Sequence, residues 1–484
     1  MRNYKKTLSI RLILFLISIF LLLIIRNMNV KADTAEKLDM KIEISNSASI
    51  KKISDESYKT SIVLNAGDTI TVTLNKAAKG VYIIWGDKVN EWTLETTDNK
   101  EIKGKNGFLH EYIEFEKPLT EFVINANNGN TICDIYCYGE GTLPEDVQIW
   151  EPACEKADIL LLSSHADDEI LFFGGILPYY GGELGLNVQI VYFSQYFTGT
   201  VIREHEKLDG LWHSGIKNYP YNGEFHDYYA DNLNQAIKRY GEDNAIKFVV
   251  EIIRKFKPQV IVAQDENGEY GHGTHMLTAY AVKKAVTISM DENTYPDLAK
   301  KYGIWDVPKT YLHLYKDNEI VLDCRKPLDK FNGKTALDIA KESYEKHVSQ
   351  QWCWFYVDDK YAYSCAKFGL YRTTVGNDTG NDIMENLVDY KTMEEQKKQE
   401  EESKRLEEES IKASIAAKEA ESIQESKSQA IKDSIALEEV QKAERMKKIN
   451  NIKKVIISGF VIVAVIIIIC CIVLKKEKKQ NKGK

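Results

Sequence analysis

The sequence predicts an α/β protein with a Rossmann-like, mostly parallel sheet covered by helices on both faces. An antiparallel β-sandwich precedes this sheet, and a helical stalk with one transmembrane helix follows it. Three observations support the prediction. Residues 33–147 hold short runs in which apolar and polar side chains alternate. Residues 148–390 hold apolar runs separated by stretches with a helical pattern. Residues 391–474 hold a charged segment followed by an apolar segment. The chain's 484 residues allow two to four domains of about 150 residues each.

The first segment, residues 1–32, has the pattern of a secretory signal peptide. Residues 12–25 carry no charge, follow Lys5, Lys6 and Arg11, and precede Val30-Lys31-Ala32, which predicts cleavage before Asp33. Fourteen residues are marginal for spanning about 30 Å of hydrocarbon. An uncleaved signal anchor is the alternative interpretation.

Residues 33–147 alternate between apolar and polar side chains, as in residues 69–74 (TITVTL), with Gly and Asn turns between the runs. Such a pattern is typical of an antiparallel sandwich. The strand spacing loosely resembles the galactose-binding-like jelly rolls attached to exported carbohydrate enzymes. Trp85 and Trp92 either stack on a sugar ring or belong to the core, and the sequence leaves both interpretations open.

Residues 148–390 predict a parallel sheet. Apolar runs at residues 159–162, 188–193 and 260–263 alternate with helical stretches, one of which covers residues 245–256 and is closed by Pro258. Ligands of such sheets bind beyond the carboxyl ends of the strands, so functional residues are expected there.

Residues 391–484 predict a stalk, a membrane span and a short tail. Residues 391–450 hold 13 basic and 15 acidic residues without Pro, Gly or aromatic side chains, which favours a long solvated helix over a stable coiled coil. A partly disordered spacer is the alternative. Residues 455–474 are uncharged and long enough to cross a membrane, and the basic residues 475–484 suit the cytoplasmic side. The body of the chain is then extracellular.

The charge of the chain is distributed unevenly. Of the net charge of -8, residues 1–32 contribute +6 and residues 475–484 contribute +5, which leaves -19 on residues 33–474. An acidic body of this size argues against a nucleic-acid partner.

The first predicted strand of residues 148–390 leads directly into a loop rich in ionisable side chains. His165, Asp167, Asp168 and Glu169 follow it, at the edge where such sheets bind ligands. One carboxylate can coordinate a metal while its neighbour faces a substrate. An acidic helix N-terminus stabilised by the helix dipole is the alternative.

A second loop, residues 265–275, follows the third predicted strand. His272 and His275 lie three residues apart in a Gly-rich segment that opens a helix. Imidazoles together with a carboxylate suit zinc, and also Fe(II) or Co(II). Taken alone, two histidines at this spacing are equally compatible with ordinary surface residues.

Together the two loops resemble a known family. His165–Glu169 is similar to the HPDDE motif, and Gly271–His275 to the GHPDH motif, of the PIG-L/LmbE-like zinc-dependent N-acetylglucosaminyl de-N-acetylases. Arg203-x-x-Glu206, Asp227 and the late element His347-Val348-Ser349-Gln350 follow in the family's order. The resemblance covers roughly residues 155–352.

The resemblance implies a role for each matching residue. His165, Asp168 and His275 would hold Zn²⁺, and Asp167 would be the general base. His272 would stabilise the oxyanion or protonate the departing amine. Arg203 and Asp227 would bind substrate; for Arg203 an ordinary ion pair with Glu206 is the alternative.

Two departures from the family pattern spare the metal-binding atoms. Ala166 replaces a Pro, and Gly273-Thr274 replaces Pro-Asp, which removes a carboxylate able to orient an imidazole.

The resulting hypothesis is a membrane-anchored extracellular zinc deacetylase that acts on an N-acetylated amino sugar in a glycan or glycoconjugate. The alternatives are a non-catalytic surface carbohydrate-binding protein and a metal hydrolase of another amide or ester.

Overall fold

The computed structural model describes residues 33–480, with side chains to residue 476. The predicted signal peptide therefore lies outside the described residues, as does the end of the basic tail. The chain divides into two compact units after Met393.

The N-terminal part of the first unit is an antiparallel sheet of seven strands. Their order is β2-β7-β3-β6-β4-β5, with β1 paired to β3. The longest pair, β3 with β6, shifts register between Thr73 and Gly80, where the alternation of the two strands is interrupted. The strands are β1 (Met40–Ile44), β2 (Ile62–Leu64), β3 (Thr69–Trp85), β4 (Trp92–Glu95), β5 (Lys100–Lys103), β6 (His110–Asn125) and β7 (Asn130–Tyr138).

Both tryptophans of this sheet belong to its core. Trp85 and Trp92 are fully buried, and their Nε1 atoms donate to Glu111 Oε2 at 3.0 and 3.2 Å. Burial raises the pKa of the Glu111 carboxyl. The structure thus decides against sugar stacking on these two side chains.

The second sheet carries the candidate site. Its order is β10-β9-β8-β11-β12-β14-β13. The first five strands in this order are parallel to one another, and at the far edge β14 is antiparallel to both β12 and β13. The expectation of a mixed α/β chain is confirmed. The strands are β8 (Ile159–Ser163), β9 (Val188–Gln195), β10 (Tyr221–His226), β11 (Val260–Ala263), β12 (Lys309–His313), β13 (Glu319–Val321) and β14 (Lys367–Thr373).

Helices cover both faces of this sheet because its strands are apolar on both sides. Leu160 and Leu162 pack with α4 and α5, whereas Ile159 and Leu161 belong to the core that contains α2 and α7. The helices are α1 (Asp168–Leu171), α2 (Ile202–His213), α3 (Leu233–Tyr240), α4 (Glu242–Phe256), α5 (Gly273–Ile288), α6 (Pro296–Tyr302) and α7 (Ala336–Glu345). A π-helical segment covers Leu177–Glu183, and short 3₁₀ turns cover Ile50–Ile53, Glu269–Gly271, Asp329–Phe331 and Val348–Gln350.

Helix α2 contacts the N-terminal part of the chain through buried and partly buried polar side chains. Tyr58 donates to Asp209 at 2.9 Å, Gln148 Nε2 donates to the same carboxylate at 2.6 Å, and His110 Nε2 lies 2.9 Å from His205 Nδ1. Burial raises the pKa of Asp209 to about 7 and lowers that of His205 to about 3. Burial also lowers the pKa of His110, so both imidazoles are neutral and the N–H of one donates to the bare nitrogen of the other.

The described residues of the second unit belong to one continuous helix, α8 (Tyr390–Gln480). This is the one long C-terminal helix that the sequence predicts. Part of α8 reaches a mean hydropathy of 3.4 over 18 residues and is long and apolar enough to cross a membrane.

Candidate active site

The two predicted loops lie side by side because they follow neighbouring parallel strands. Leu162 of β8 pairs in register with Ala263 of β11. The buried amide of Gln264 joins the loops: its oxygen accepts from Ser164 N at 2.9 Å, and its nitrogen donates to Asp168 Oδ2 at 2.8 Å.

Three donor atoms from these loops converge on one point. His165 Nδ1 lies 3.0 Å from Asp168 Oδ2, Asp168 Oδ2 lies 3.1 Å from His275 Nε2, and the two imidazole nitrogens are 3.1 Å apart. All three residues are buried. Ligands about 2.0–2.2 Å from a shared zinc ion would be separated by only slightly more than this. The donor set therefore fits the cation that the sequence predicts.

The outer nitrogen of His275 meets a carboxylate, whereas that of His165 has no hydrogen-bond partner among the described residues. His275 Nδ1 lies 2.8 Å from Glu269, and His165 Nε2 lies 3.4 Å from Asp227. Burial would lower the pKa of His275, but Asp168 and Glu269 outweigh it and raise the pKa to about 10. Similarly, burial would raise the pKa of Asp168, but His275 and His165 hold it well below its usual value.

Glu269 holds two histidines at once. Besides contacting His275, this fully buried carboxylate lies 2.6 Å from Nδ1 of His313, at the end of β12. Burial would raise its pKa, but the hydrogen bonds from the two imidazoles lower it to about 2.

His272 caps helix α5. Its Nδ1 accepts from Thr274 N at 3.1 Å, so the ring hydrogen is assigned to Nε2. Burial, then the neighbouring His165 and His275, lower its pKa to about 2, so the imidazole is neutral. Its ligand atom lies within 4.8 Å of those of His165 and His275. The three histidines thus form a group that could hold a metal ion, while the assigned tautomer gives His272 a hydrogen-bond donor at Nε2.

Asp167 has the strained backbone that functional sites often contain, with φ 111° and ψ -33°. Its backbone nitrogen donates to Glu169 Oε2 at 2.7 Å. Burial raises the pKa of the Asp167 carboxyl to about 7, although Arg203 lowers it.

Arg203 of α2 joins the two carboxylates that flank the site. Its guanidinium donates to the Ala166 carbonyl and lies 3.3 Å from Asp167 Oδ1 and 3.4 Å from Asp227 Oδ2. Glu206 instead accepts from Ser349 N and Oγ at 2.7 and 2.6 Å. The alternative pairing of Arg203 with Glu206 is therefore wrong.

The structure brings all seven predicted site residues together and adds supporting residues to which the sequence assigned no role. His347 Nε2 lies 3.0 Å from Glu169 Oε1, while the other oxygen of that carboxylate holds Asp167. Glu269 and His313 form the second such pair. Glu169 and His347 belong to the sequence elements that resemble the family, whereas Glu269 lies two residues before the second motif and His313 lies outside both.

A cavity of about 340 Å³ lies beside Asp227. Gln195, Thr198, Thr200 and His226 are among its lining residues, and Thr198 Oγ1 lies 2.8 Å from His226 Nδ1. The cavity thus offers hydroxyl, amide and imidazole groups next to Asp227, whose carboxylate lies 3.4 Å from His165 Nε2.

A comparison with known families agrees with this geometry. Residues 160–286 match the PIG-L family, described as GlcNAc-PI de-N-acetylase. We refer to these residues as the PIG-L region. They contain both motif loops and Arg203, so the resemblance indicated by the motifs is confirmed there.

Curated relatives of the chain carry the name of a deacetylase with one and the same printed substrate. The chain is 26% identical over 188 residues to 1D-myo-inositol 2-acetamido-2-deoxy-alpha-D-glucopyranoside deacetylase 1 of Catenulispora acidiphila, covering 32% of this chain and 54% of that protein. It is 30% identical over 192 residues to the deacetylase with the same printed substrate from Geodermatophilus obscurus, covering 38% and 55%. The chain spans about half the length of the curated relatives it matches.

Solved structures show weaker similarity. One is N,N'-diacetylchitobiose deacetylase from Pyrococcus horikoshii, with 19% identity and a TM-score of 0.32 over 40% of this chain and 71% of that one. Another is a pectin-binding carbohydrate-binding module, with 14% identity and a TM-score of 0.17 over 23% and 96%.

Proposed function

We propose that this protein is a zinc-dependent deacetylase that hydrolyses the acetamide of an N-acetylated amino sugar. The observation that carries the proposal is the convergence of His165 Nδ1, Asp168 Oδ2 and His275 Nε2 beside the carboxylate of Asp167. The family match and the deacetylase names of the curated relatives support an amide-hydrolysing enzyme.

His165, Asp168 and His275 would hold the metal through two nitrogens and one oxygen, a donor set that leaves a coordination position open. When bound, zinc supplies a Lewis acid for the amide carbonyl and lowers the pKa of a water molecule towards about 7. Glu269 holds the outer nitrogen of His275 at 2.8 Å, which fixes that ring for this task, and Asp227 lies 3.4 Å from the outer nitrogen of His165.

Asp167 is the proposed general base. A carboxyl whose pKa is about 7 accepts a proton near neutral pH and returns it readily, which an ordinary Asp does less well. Arg203 and the backbone contact to Glu169 hold this residue in its strained position. In this role Asp167 takes the proton of the attacking water and can pass it to the departing amine.

His272 is the proposed donor to the oxygen of the acetamide carbonyl. Because its pKa is low and Nδ1 is occupied by Thr274 N, a neutral ring presents Nε2–H towards the site. A preorganised donor of this type stabilises negative charge that develops in the transition state. The amine is therefore better protonated by Asp167 than by His272.

The sugar is proposed to enter the cavity beside Asp227. Its polar lining suits the hydroxyls of an amino sugar, and Arg203 and Asp227 stand between this cavity and the acetamide position. The printed substrates of the relatives, which contain a 2-acetamido-2-deoxy-glucopyranoside, support this class of substrate.

The remaining parts of the proposal concern organisation. We propose a signal peptide over residues 1–32, a galactose-binding-like sandwich over 33–147, the deacetylase domain over 148–390, a stalk over 391–454, a transmembrane helix over 455–474 and a cytoplasmic tail over 475–484. The apolar part of α8 supports the span. The catalytic part is then outside the cell membrane.

Acetate release from N-acetylglucosamine-containing substrates, measured with zinc content, tests the proposal. Asp167→Asn should keep stoichiometric zinc and lose most activity, whereas His165→Ala should lose zinc as well. His213→Ala removes a half-exposed histidine that pairs with Glu342 and serves as the matched control. Full acetate release by Asp167→Asn would refute the assignment. Hydrolysis only of other amides or esters in a substrate panel would redirect it to that class.

A further inference from the structure

The loop between the late His-Val-Ser-Gln element and β14 exposes large aromatic side chains. We call residues 351–363 the aromatic loop. Trp352 is 82% exposed and Trp354 is 64% exposed, and Tyr356 is also exposed. All seven tryptophans of the chain lie within the described residues, and only these two are exposed.

The aromatic loop is held firmly at both ends. Before it, Ser349 donates to Glu206 and the backbone of His347 is followed by a 3₁₀ turn. After its tip, Arg325 makes two hydrogen bonds of 2.7 and 2.8 Å to Asp359, and the Ser364 hydroxyl donates to the Asp359 carbonyl. A surface tryptophan on an anchored loop offers a large rigid ring at little cost in conformational entropy.

An unbroken series of ring contacts joins the aromatic loop to the active site. The Tyr270 ring lies 5.6 Å from that of His272 and 5.3 Å from that of His275. Phe355 lies 4.5 Å from Tyr270, and Trp354 lies 4.1 Å from Phe355. The exposed rings therefore continue the wall of the site out to the surface.

We propose that the aromatic loop is a glycan-binding platform, with Trp354 and Trp352 stacking on sugar residues next to the one that is deacetylated. This inference rests on the proposed function and extends it, because it names a chain of several N-acetylated amino sugars as the substrate. An isolated conjugate with a single sugar would leave both tryptophans without a partner.

The chemistry of the platform suits such a chain. The apolar faces of pyranose rings pack on aromatic rings, and an amino sugar that has lost its acetyl group is a cation, which the face of a tryptophan also attracts. The neighbouring Asp358 and the net charge of -19 on residues 33–474 disfavour a polyanionic strand.

Acetate release from N-acetylglucosamine and from its β-1,4-linked pentamer gives the test. In the full-length protein, Trp354→Ala should lower the ratio of kcat/KM for the pentamer to that for the monomer about tenfold, mainly through KM. Trp352→Ala should lower it less, since Trp352 is not among the rings in contact with Phe355. Met290→Ala, which removes a half-exposed apolar side chain elsewhere, is the matched control and should leave the ratio unchanged. An unchanged ratio in Trp354→Ala would overturn the platform.

Direct binding separates failure of the platform from failure of the proposed function. Asp167→Asn protein should bind the pentamer, measured by calorimetry, and Trp354→Ala in that background should weaken binding about tenfold. If pentamer binding depends on Trp354 but the wild type releases no acetate, the proposed deacetylase activity is refuted and the glycan-binding platform is supported. Absence of pentamer binding would refute the platform. Acrylamide quenching of tryptophan fluorescence gives a further readout. If a lipid nanodisc protects Trp352 and Trp354 from quenching and the pentamer does not, the loop binds the membrane and the platform is refuted.

Discussion

Replacing Glu269 by Gln tests the proposal that this carboxylate prepares His275 to bind a metal. The carboxylate lies 2.8 Å from His275 Nδ1 and 2.6 Å from His313 Nδ1, and it is fully buried. Gln has the same shape, but it is neutral and offers one oxygen and one NH₂ group. His313 can adapt, because its Nε2 lies 2.9 Å from the Ser364 carbonyl and can keep the ring hydrogen there. The exchange therefore removes the charge while preserving the contacts.

The expected effect follows from the role of this carboxylate. Loss of a carboxylate behind a ligating imidazole typically costs 10–100-fold in metal affinity or activity. Because Gln can still accept from His275, we expect the lower end, about tenfold or ~1.4 kcal/mol. Glu269→Ala leaves both imidazoles without a partner, so we expect about 100-fold.

Zinc affinity measured by competition with a chromogenic chelator is the direct assay, with acetate release at saturating zinc as the second readout. Glu266→Gln is the matched control, since Glu266 is in the same loop but pairs with Lys283 at the surface. A wild-type zinc affinity in both Glu269→Gln and Glu269→Ala would refute the reasoning, because the residue would then have no influence on the metal.

Three further predictions follow from other contacts. Arg203→Lys should lower kcat about 10–100-fold with little change in folding, because an ammonium cannot contact Ala166, Asp167 and Asp227 together; acetate kinetics and thermal unfolding check this. Asp209→Asn should flatten the pH dependence of stability. The pKa of the Asp209 carboxyl is about 7 in the native state and about 3.9 in the unfolded state, so between these values the native state binds one more proton and its stability falls as pH rises. In the variant, the difference in unfolding free energy between pH 4 and pH 8, measured by urea titration, should be smaller than in the wild type by up to about 4 kcal/mol. Dialysis against a zinc chelator should abolish acetate release, and added zinc should restore it; activity that survives metal removal would contradict the proposed site.

Much of the site could be predicted because its residues follow the ends of β8 and β11. Apolar runs fixed those two strand ends to within a residue, and neighbouring parallel strands must bring their following loops together. Helix α5 starts at Gly273, earlier than its apolar pattern indicates, because the His272 side chain caps it through Thr274 N. A capping histidine gives no periodic signal.

The supporting residues could not be predicted for a different reason. His313 reaches Glu269 from the end of β12, 44 positions along the chain, so only the sheet order places them together. The left-handed backbone of Asp167 was equally hidden, since an Asp carries no mark of its φ angle. For Trp85 and Trp92 the strand pattern allowed both core and surface, and only the buried partner Glu111 decides between them.

The polar contacts of helix α2 with the N-terminal sheet make that sheet part of the catalytic region's own folding. The helix that carries Arg203 has His205 in contact with His110, and Asp209 in contact with Tyr58. A protein that lacks residues 33–147 would lose these hydrogen bonds, each worth about 0.5–1.5 kcal/mol. Truncation would thus loosen the helix that holds Arg203 over Asp167, and loss of activity on truncation would report a misplaced arginine rather than a missing sugar-binding module.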